Sequence, residues 1–413
     1  MRCKLSYLSK PGLIPYMYDT VPNRLHELAL QDPEHEAFIF YDINKKRSSL
    51  TRKQLWDRSV NVAKHLMNLG LKKGSPVAFY MSNSLEMLIL TMGVSLAGGI
   101  SFYFNSALKD GSDIVESINF LKGEMLCMDA DYGDDNWGLL QNIWPAGETT
   151  CSSGETTCSS VSTLRHILFK GKGNEESYAN RMNVMELIET DCSSELELPE
   201  VFPEDIVAYF CTSGSTGKPK TIIYTHFSIL NWTAACNDAF GIHSESVFFC
   251  ERTFSWIVGY PRTYLIEGAR RLFIDTRMAV GGKHIADICE IIHAENCDVI
   301  LLPGYLAVDL VQNEELCGRL RGVRKVIMSG ERVCETIVSD LMKFVCKQVV
   351  VFYGATEVGG VSYFVSENIG DYEDGIIGKY TTEQLYTRKR STQSNSYIHG
   401  NVVHNRTVIY TET

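Results

Sequence analysis

Cys211-Thr212-Ser213-Gly214-Ser215-Thr216-Gly217-Lys218-Pro219-Lys220 follows the strand-like run Ile206–Phe210 and gathers glycines, hydroxyls and lysines into ten residues. Gly214 and Gly217 let a backbone approach an anion closely. Thr212, Ser213, Ser215 and Thr216 bring hydroxyls, and Lys218 and Lys220 add compact positive charge. After a strand, these are the parts of a polyphosphate cradle, so a nucleoside triphosphate is the first ligand to consider. A Walker A loop needs four residues between its glycines and a Ser or Thr after the lysine. Here two residues separate Gly214 from Gly217 and Pro219 follows Lys218, which excludes that motif. The plain alternative is a Gly/Ser/Thr surface loop.

The chain has 413 residues, 45% hydrophobic and 22% charged, enough for two or more packed units and inconsistent with disorder throughout. A net charge of -11 argues against general nucleic-acid binding, which needs an excess of lysine and arginine, whereas a small anion needs only a local basic pocket. The 13 cysteines are scattered, with no Cys-x-x-Cys and no zinc spacing. They read as thiols in a reducing compartment, predicting an intracellular location, cytoplasmic or mitochondrial. The first residues lack the apolar core of a signal peptide.

Alternation of strand-like and helix-like segments predicts an α/β fold. Thr51 and Gln54 form a capping-box pair, and Leu55, Val62, Leu66 and Leu69 recur at helical spacing until Gly70. Pro76–Met81 reads as a buried strand, Leu85–Ala97 as a helix opened by Asn83-Ser84 and closed by Gly98-Gly99, and Ile100–Phe104 as a strand. The order β-α-β predicts a parallel sheet. Met87–Leu108 lacks charge and has the length of a membrane span, but its glycine pair favours helix-turn-strand. Further strands are expected at Thr221–Tyr224, Arg271–Ile274, Asp298–Leu302, Val326–Met328 and Val349–Phe352. Helices are expected at Phe227–Phe240, His284–His293 and Val333–Cys346. The polar segment 147–160 is a tandem heptad repeat suited to a solvent loop, and residues 379–413 read as a divergent, poorly ordered tail.

Tyr353-Gly354-Ala355-Thr356-Glu357 places a glycine turn, a hydroxyl and a carboxylate after the strand Val349–Phe352, where open α/β sheets bind ligands. A carboxylate beside a triphosphate needs a hard cation between them, so Glu357 is a candidate magnesium ligand. Capping of a following loop is its alternative role.

In order and approximate separation, the cradle and the Tyr353–Glu357 segment resemble the signatures of the adenylate-forming superfamily. This group holds acyl-CoA synthetases, firefly luciferase and peptide-synthetase adenylation domains. Met81-Ser82-Asn83-Ser84, Ala97-Gly98-Gly99, Asp205 and Thr225-His226 also match, extending the resemblance over about nine-tenths of the chain. Within the superfamily, the chain looks most similar to fatty acyl-CoA synthetases and to coumarate ligase and luciferase relatives. The resemblance implies a large N-terminal domain, residues 1–378, with two helix-covered, mostly parallel sheets. It implies nucleotide contacts from Thr212–Gly217, Gly330, Glu331, Tyr353, Gly354 and Ala355. Lys218, Lys220, Thr356 and Glu357 would serve catalysis, with magnesium on Glu357. Ser329-Gly330-Glu331 departs from the family at Glu331, where a small residue is common. Trp256 and Gly259 correspond to the acyl-binding aromatic and glycine, although a core tryptophan is the alternative.

The implied reaction joins a carboxylic acid, expected to be a fatty acid, to coenzyme A. The acid attacks the α-phosphorus of ATP, and coenzyme A thiolate then displaces AMP. The family's β-rich subdomain and C-terminal lid, which carry a ribose-binding aspartate and a catalytic lysine, have no match between Tyr380 and Thr413. Impaired turnover is therefore expected of this form. A non-catalytic nucleotide or acyl-adenylate binding regulator is the competing reading.

Overall fold

The computed structural model describes residues 6–7, 15–104, 111–131, 135–143, 161, 163–171, 181–193, 195–212, 220–279, 283–374, 379–380, 400–403 and 406–409. The cradle residues 213–219, the repeat within 147–160 and most of the tail lie outside them. The chain divides into two units, one of Tyr18–Leu230 with Glu251–Val280 and one of Met1–Met17, Asn231–Cys250 and Gly281–Thr413.

In the first unit, strands run in the order Lys220–Thr225, Ile206–Thr212, Ile100–Tyr103, Pro76–Tyr80, Met125–Asp129, His166–Lys170 and Arg181–Asn183. All neighbours are parallel except the Ile206–Thr212 and Lys220–Thr225 pair. The apolar runs are continuous because parallel strands covered by helices are buried on both faces. Phe102, Leu126, Met128 and Ile167 lie in one core with Ile114 and Ile118 of the helix Gly111–Leu121. The β-α-β expectation holds, since Pro76–Tyr80 and Ile100–Tyr103 pair in parallel on either side of the helix Leu85–Leu96.

That helix begins at Ser84, whose hydroxyl accepts the Met87 N–H, and ends before Gly98 at φ +70°. A Cβ on Gly93 would lie 2.6 Å from Val62 Cγ1, so the missing side chain lets this helix press against Arg52–Asn68. The capping box of Arg52–Asn68 is present, with Gln54 N–H donating to Thr51 Oγ1 at 3.2 Å and Thr51 N–H donating to Gln54 Oε1 at 3.0 Å. Among the described residues, no helix is long and apolar enough to cross a membrane. The same unit holds Glu36–Tyr41, paired antiparallel with Arg47–Thr51 and parallel with Arg270–Ile274.

The second unit carries the parallel run Val247–Cys250, Val299–Leu302, Val323–Ser329 and Cys346–Ala355. Gly359–Ser366 returns antiparallel to the last of these, and Lys379–Tyr380 pairs beyond it. Helices Ile285–Ala294, Gly304–Val311, Glu314–Arg319 and Glu335–Phe344 connect or follow the strands. Gly400–Val403 and Arg406–Ile409 form an antiparallel pair, extended by Ser6–Tyr7. The strand expected at Val349–Phe352 runs from Cys346 to Ala355, so Tyr353, Gly354 and Ala355 belong to it. The antiparallel return supplies hydrogen-bond partners that extend it.

Candidate nucleotide and carboxylate sites

In the second unit, the strand Cys346–Ala355 turns through Thr356, Glu357 and Val358, with Val358 N–H donating to Ala355 O at 3.1 Å. The register slips between Tyr353 and Gly354, after which Gly354 faces Gly360 and Ala355 faces Gly359. Glycine is required on both arms. A Cβ on Gly354 would stand 2.7 Å from Gly359 O, while Gly359 has φ +70° and lies against the Trp232 indole. Phe352 and Phe240 pack edge to face beneath the hairpin at 5.1 Å. Tyr353 and Glu357 are exposed at this strand end.

Ser329 pairs with Phe352 in parallel register, so Gly330 leaves its strand next to the position of Tyr353. Gly330 has φ +93°, the left-handed conformation that turns the chain there. Glu331 Oε1 accepts the Gly304 N–H at 2.7 Å, at the start of the helix Gly304–Val311. Pro303, the N-cap residue, makes no side-chain cap, and a carboxylate from the turn after the strand Val323–Ser329 meets the positive end of the helix. The unusual acidic residue after Gly330 therefore has a structural partner.

In the first unit, the segment Glu251–Arg271 surrounds the residues expected to bind the acyl group. Trp256 is 47% exposed, which sets aside a core role, and the Arg252 guanidinium lies 5.1 Å above its ring. Glu251 is buried and pairs with Arg252, Oε1 to Nε, at 2.9 Å. Burial pushes the Glu251 carboxyl up to about 7, against the pull of Arg252. Arg262 donates to Ile257 O at 3.2 Å, and Arg271 donates to Gly259 O at 2.8 Å and to Thr263 Oγ1 at 3.1 Å. Gly259 leaves no room for a side chain, since a Cβ would fall 1.9 Å from Thr253 O.

Sequence reasoning missed Glu251, Arg262 and Arg271. The available signal was charge inside or beside otherwise apolar runs, which in a fold must be paired or hydrogen-bonded.

Thr212 ends one arm and Lys220 begins the other arm of an antiparallel pair, the two residues standing opposite each other. Lys220 is exposed, and the intervening Ser213–Pro219, including Lys218, is outside the described residues. Asp205 precedes this hairpin and pairs with Lys73 at 2.7 Å. His226 is buried, its Nδ1 accepts the Val21 N–H at 3.2 Å, and burial pushes its imidazole down to about 4. It is a neutral acceptor within the packing.

The AMP-binding enzyme family model matches residues 25–387, taking in the cradle, the Gly330 turn and the Tyr353–Glu357 hairpin together. The chain belongs to the AMP-binding enzyme family. It is 22% identical over 346 residues, 80% of its length and 6% of the relative's, to gramicidin S synthase 2 of Brevibacillus brevis. It is 24% identical over 228 residues, 55% of its length and 36% of the relative's, to 2-succinylbenzoate–CoA ligase of Bacillus cereus. The acyl-CoA synthetase of Brucella canis has the same fold, with a TM-score of 0.76 at 16% identity over 96% of this chain and 69% of that one. The chain spans little more than a third of those curated relatives, or less. In this AMP-binding protein the described residues set Ser329 opposite Phe352, the residues just before Gly330 and Tyr353, in one unit and Arg252 over Trp256 in the other.

Proposed function

We propose that the chain activates a carboxylic acid with ATP and transfers the acyl group to coenzyme A. Family membership across residues 25–387 supports this reading, and the observation that carries it is the Tyr353–Glu357 hairpin opening at the carboxyl end of a parallel strand beside Gly330. An acid carboxylate oxygen attacks the α-phosphorus of ATP, giving acyl-adenylate and pyrophosphate. Coenzyme A thiolate then attacks the acyl carbon, and AMP leaves.

Both steps move negative charge, so positioned cations and donors carry the catalysis. In this proposal Thr212, Ser213, Gly214, Ser215, Thr216 and Gly217 cradle the phosphates, Lys218 and Lys220 oppose their charge, and Thr356 hydrogen-bonds the reacting centre. Tyr353, Gly354, Ala355, Gly330 and Glu331 border the adenine, with the Glu331 carboxylate already engaged by Gly304. Among the described residues no cluster of three His, Cys, Asp or Glu forms a metal cage. Magnesium bound with a nucleotide needs only one or two carboxylates beside phosphates and water, so the exposed Glu357 fits as its holder. Magnesium there would neutralise phosphate charge. Trp256 and Gly259 border the acyl group, and the exposed indole supports an apolar, fatty acid.

Carboxylate-dependent ATP–pyrophosphate exchange by the purified chain tests the proposal. Exchange with a fatty acid supports it in full. Nucleotide binding without exchange, across fatty, aromatic and short acids, would replace it with a non-catalytic binding role.

A further inference from the structure

Asn83 stands in a motif that the proposed reaction leaves without a role. It is 1% exposed, and its polar groups engage two distant segments of its own unit. Its Nδ2 donates to Arg252 O at 3.1 Å, its Oδ1 accepts the Phe254 N–H at 2.9 Å, and its own N–H donates to Thr276 Oγ1 at 3.1 Å. The two side-chain bonds fall on either side of Thr253. Thr253 O accepts the Trp256 N–H at 3.0 Å, and Trp256 O accepts the N–H groups of Gly259 at 2.8 Å and Tyr260 at 2.9 Å. Thr253 O is also the atom that a Cβ on Gly259 would strike. One side chain thus holds the peptide units from which the turn bearing Trp256 and Gly259 is built.

The base of this grip is itself fixed. Ser82 N–H donates to Asp129 Oδ2 at 2.6 Å at the end of the strand Met125–Asp129, and Ser84 caps the helix Leu85–Leu96. Asn83 therefore sits between a sheet and a helix start that cannot shift without breaking hydrogen bonds, one partly buried and one buried from water. An amide suits the position because it offers a donor and an acceptor at once, matching one carbonyl and one N–H.

We infer that Asn83 is a positioning residue for the acid-binding segment, acting through the backbone of Arg252 and Phe254 to set the place of Trp256. This inference rests on the proposed reading of Trp256 and Gly259 as the acyl-binding pair. Its consequence is selective. Loosening the grip degrades recognition of the acid and leaves nucleotide recognition intact.

The test is steady-state ATP–pyrophosphate exchange by the full chain carrying Asn83→Asp, which keeps the acceptor for Phe254 and loses the donor to Arg252. The KM for the acid is expected to rise about tenfold, with the KM for ATP and kcat within about twofold. Thr276→Val removes the third bond from the opposite side and should raise the acid KM about threefold, which keeps the test available if the first variant does not fold. Acid and ATP constants that rise together, or an unchanged acid KM, would overturn the inference. If the wild-type chain exchanges with no acid, the proposed function fails while the grip remains measurable. In chains labelled with 5-fluorotryptophan, the fluorine line lost on Trp256→Phe belongs to Trp256. That line should shift in Asn83→Asp while the Trp56 and Trp232 lines stay, and a fixed Trp256 line or a shift of all lines would overturn the inference.

Discussion

The Glu331 carboxylate meets the Gly304 backbone N–H at 2.7 Å and so caps a helix from the turn that follows the strand Val323–Ser329. A Cβ on Gly304 would come within 2.4 Å of the same Oε1 atom, so each residue depends on the other. Glu331→Ala and Gly304→Ala should each destabilise the chain by about 1 kcal/mol, the usual worth of a helix cap. The double variant should lose little more than either single one. Urea unfolding measures this, and fully additive losses would show that the two are not coupled.

Gly259→Ala should be more damaging, because the added carbon meets a backbone carbonyl that Trp256 N–H already uses. A side chain could swing aside, but Thr253 O cannot move without disturbing the turn. A loss of about 3 kcal/mol is expected, read as a lower urea midpoint at constant slope. A midpoint equal to the wild type would contradict the packing described here.

Glu251 should make stability depend on pH. Burial raises its carboxyl from 4.5 to about 7 in the folded chain. The folded state therefore holds a proton that the unfolded state has released, and stability falls as pH rises from about 4.5 to 7, then levels. Glu251→Gln stays neutral throughout, so its melting temperature relative to wild type should climb between pH 5 and pH 8. The change is on the order of 2 kcal/mol. A difference that stays flat across this range would show that Glu251 remains ionised when buried.

Lys218→Ala should lower carboxylate-dependent exchange roughly a hundredfold, the scale expected when one donor to a developing charge is removed. Exchange at the wild-type rate would argue against the cradle.

Glu357→Gln should raise the magnesium concentration needed for half-maximal exchange by roughly tenfold or more, with little effect on metal-free nucleotide binding. Unaltered magnesium dependence would move the metal role elsewhere.

Much of the fold was legible because its signals are local. The Thr51 and Gln54 cap, the Ser84 start and the Gly98 stop of the next helix depend on residues a few positions apart. The strand at Val349–Phe352 was recognised but cut short. Its two ends depend on different partners, since Cys346 stands opposite Val323 while Tyr353, Gly354 and Ala355 face Ser362, Gly360 and Gly359 of the returning strand. The antiparallel pairing of Ile206–Thr212 with Lys220–Thr225 was also left open, because strand direction depends on how the connecting loop runs.

The amino-acid order alone determined the α/β alternation, the capped starts of the helices Arg52–Asn68 and Leu85–Leu96 and the glycine stop at Gly98, since these follow from periodicity, backbone freedom and residue chemistry over short spans. Tertiary structure decided which residues meet. Asn83 finds Arg252 and Phe254, Glu331 finds Gly304, and Glu251 is buried against Arg252. All but the last of these pairings join residues far apart in the chain. The Asn83 and Glu251 pairings arise because burial deprives a polar group of water and leaves a specific protein partner as the means of satisfying it, whereas the exposed Glu331 meets Gly304 because the fold sets its carboxylate at a helix start whose N–H groups lack partners within the helix.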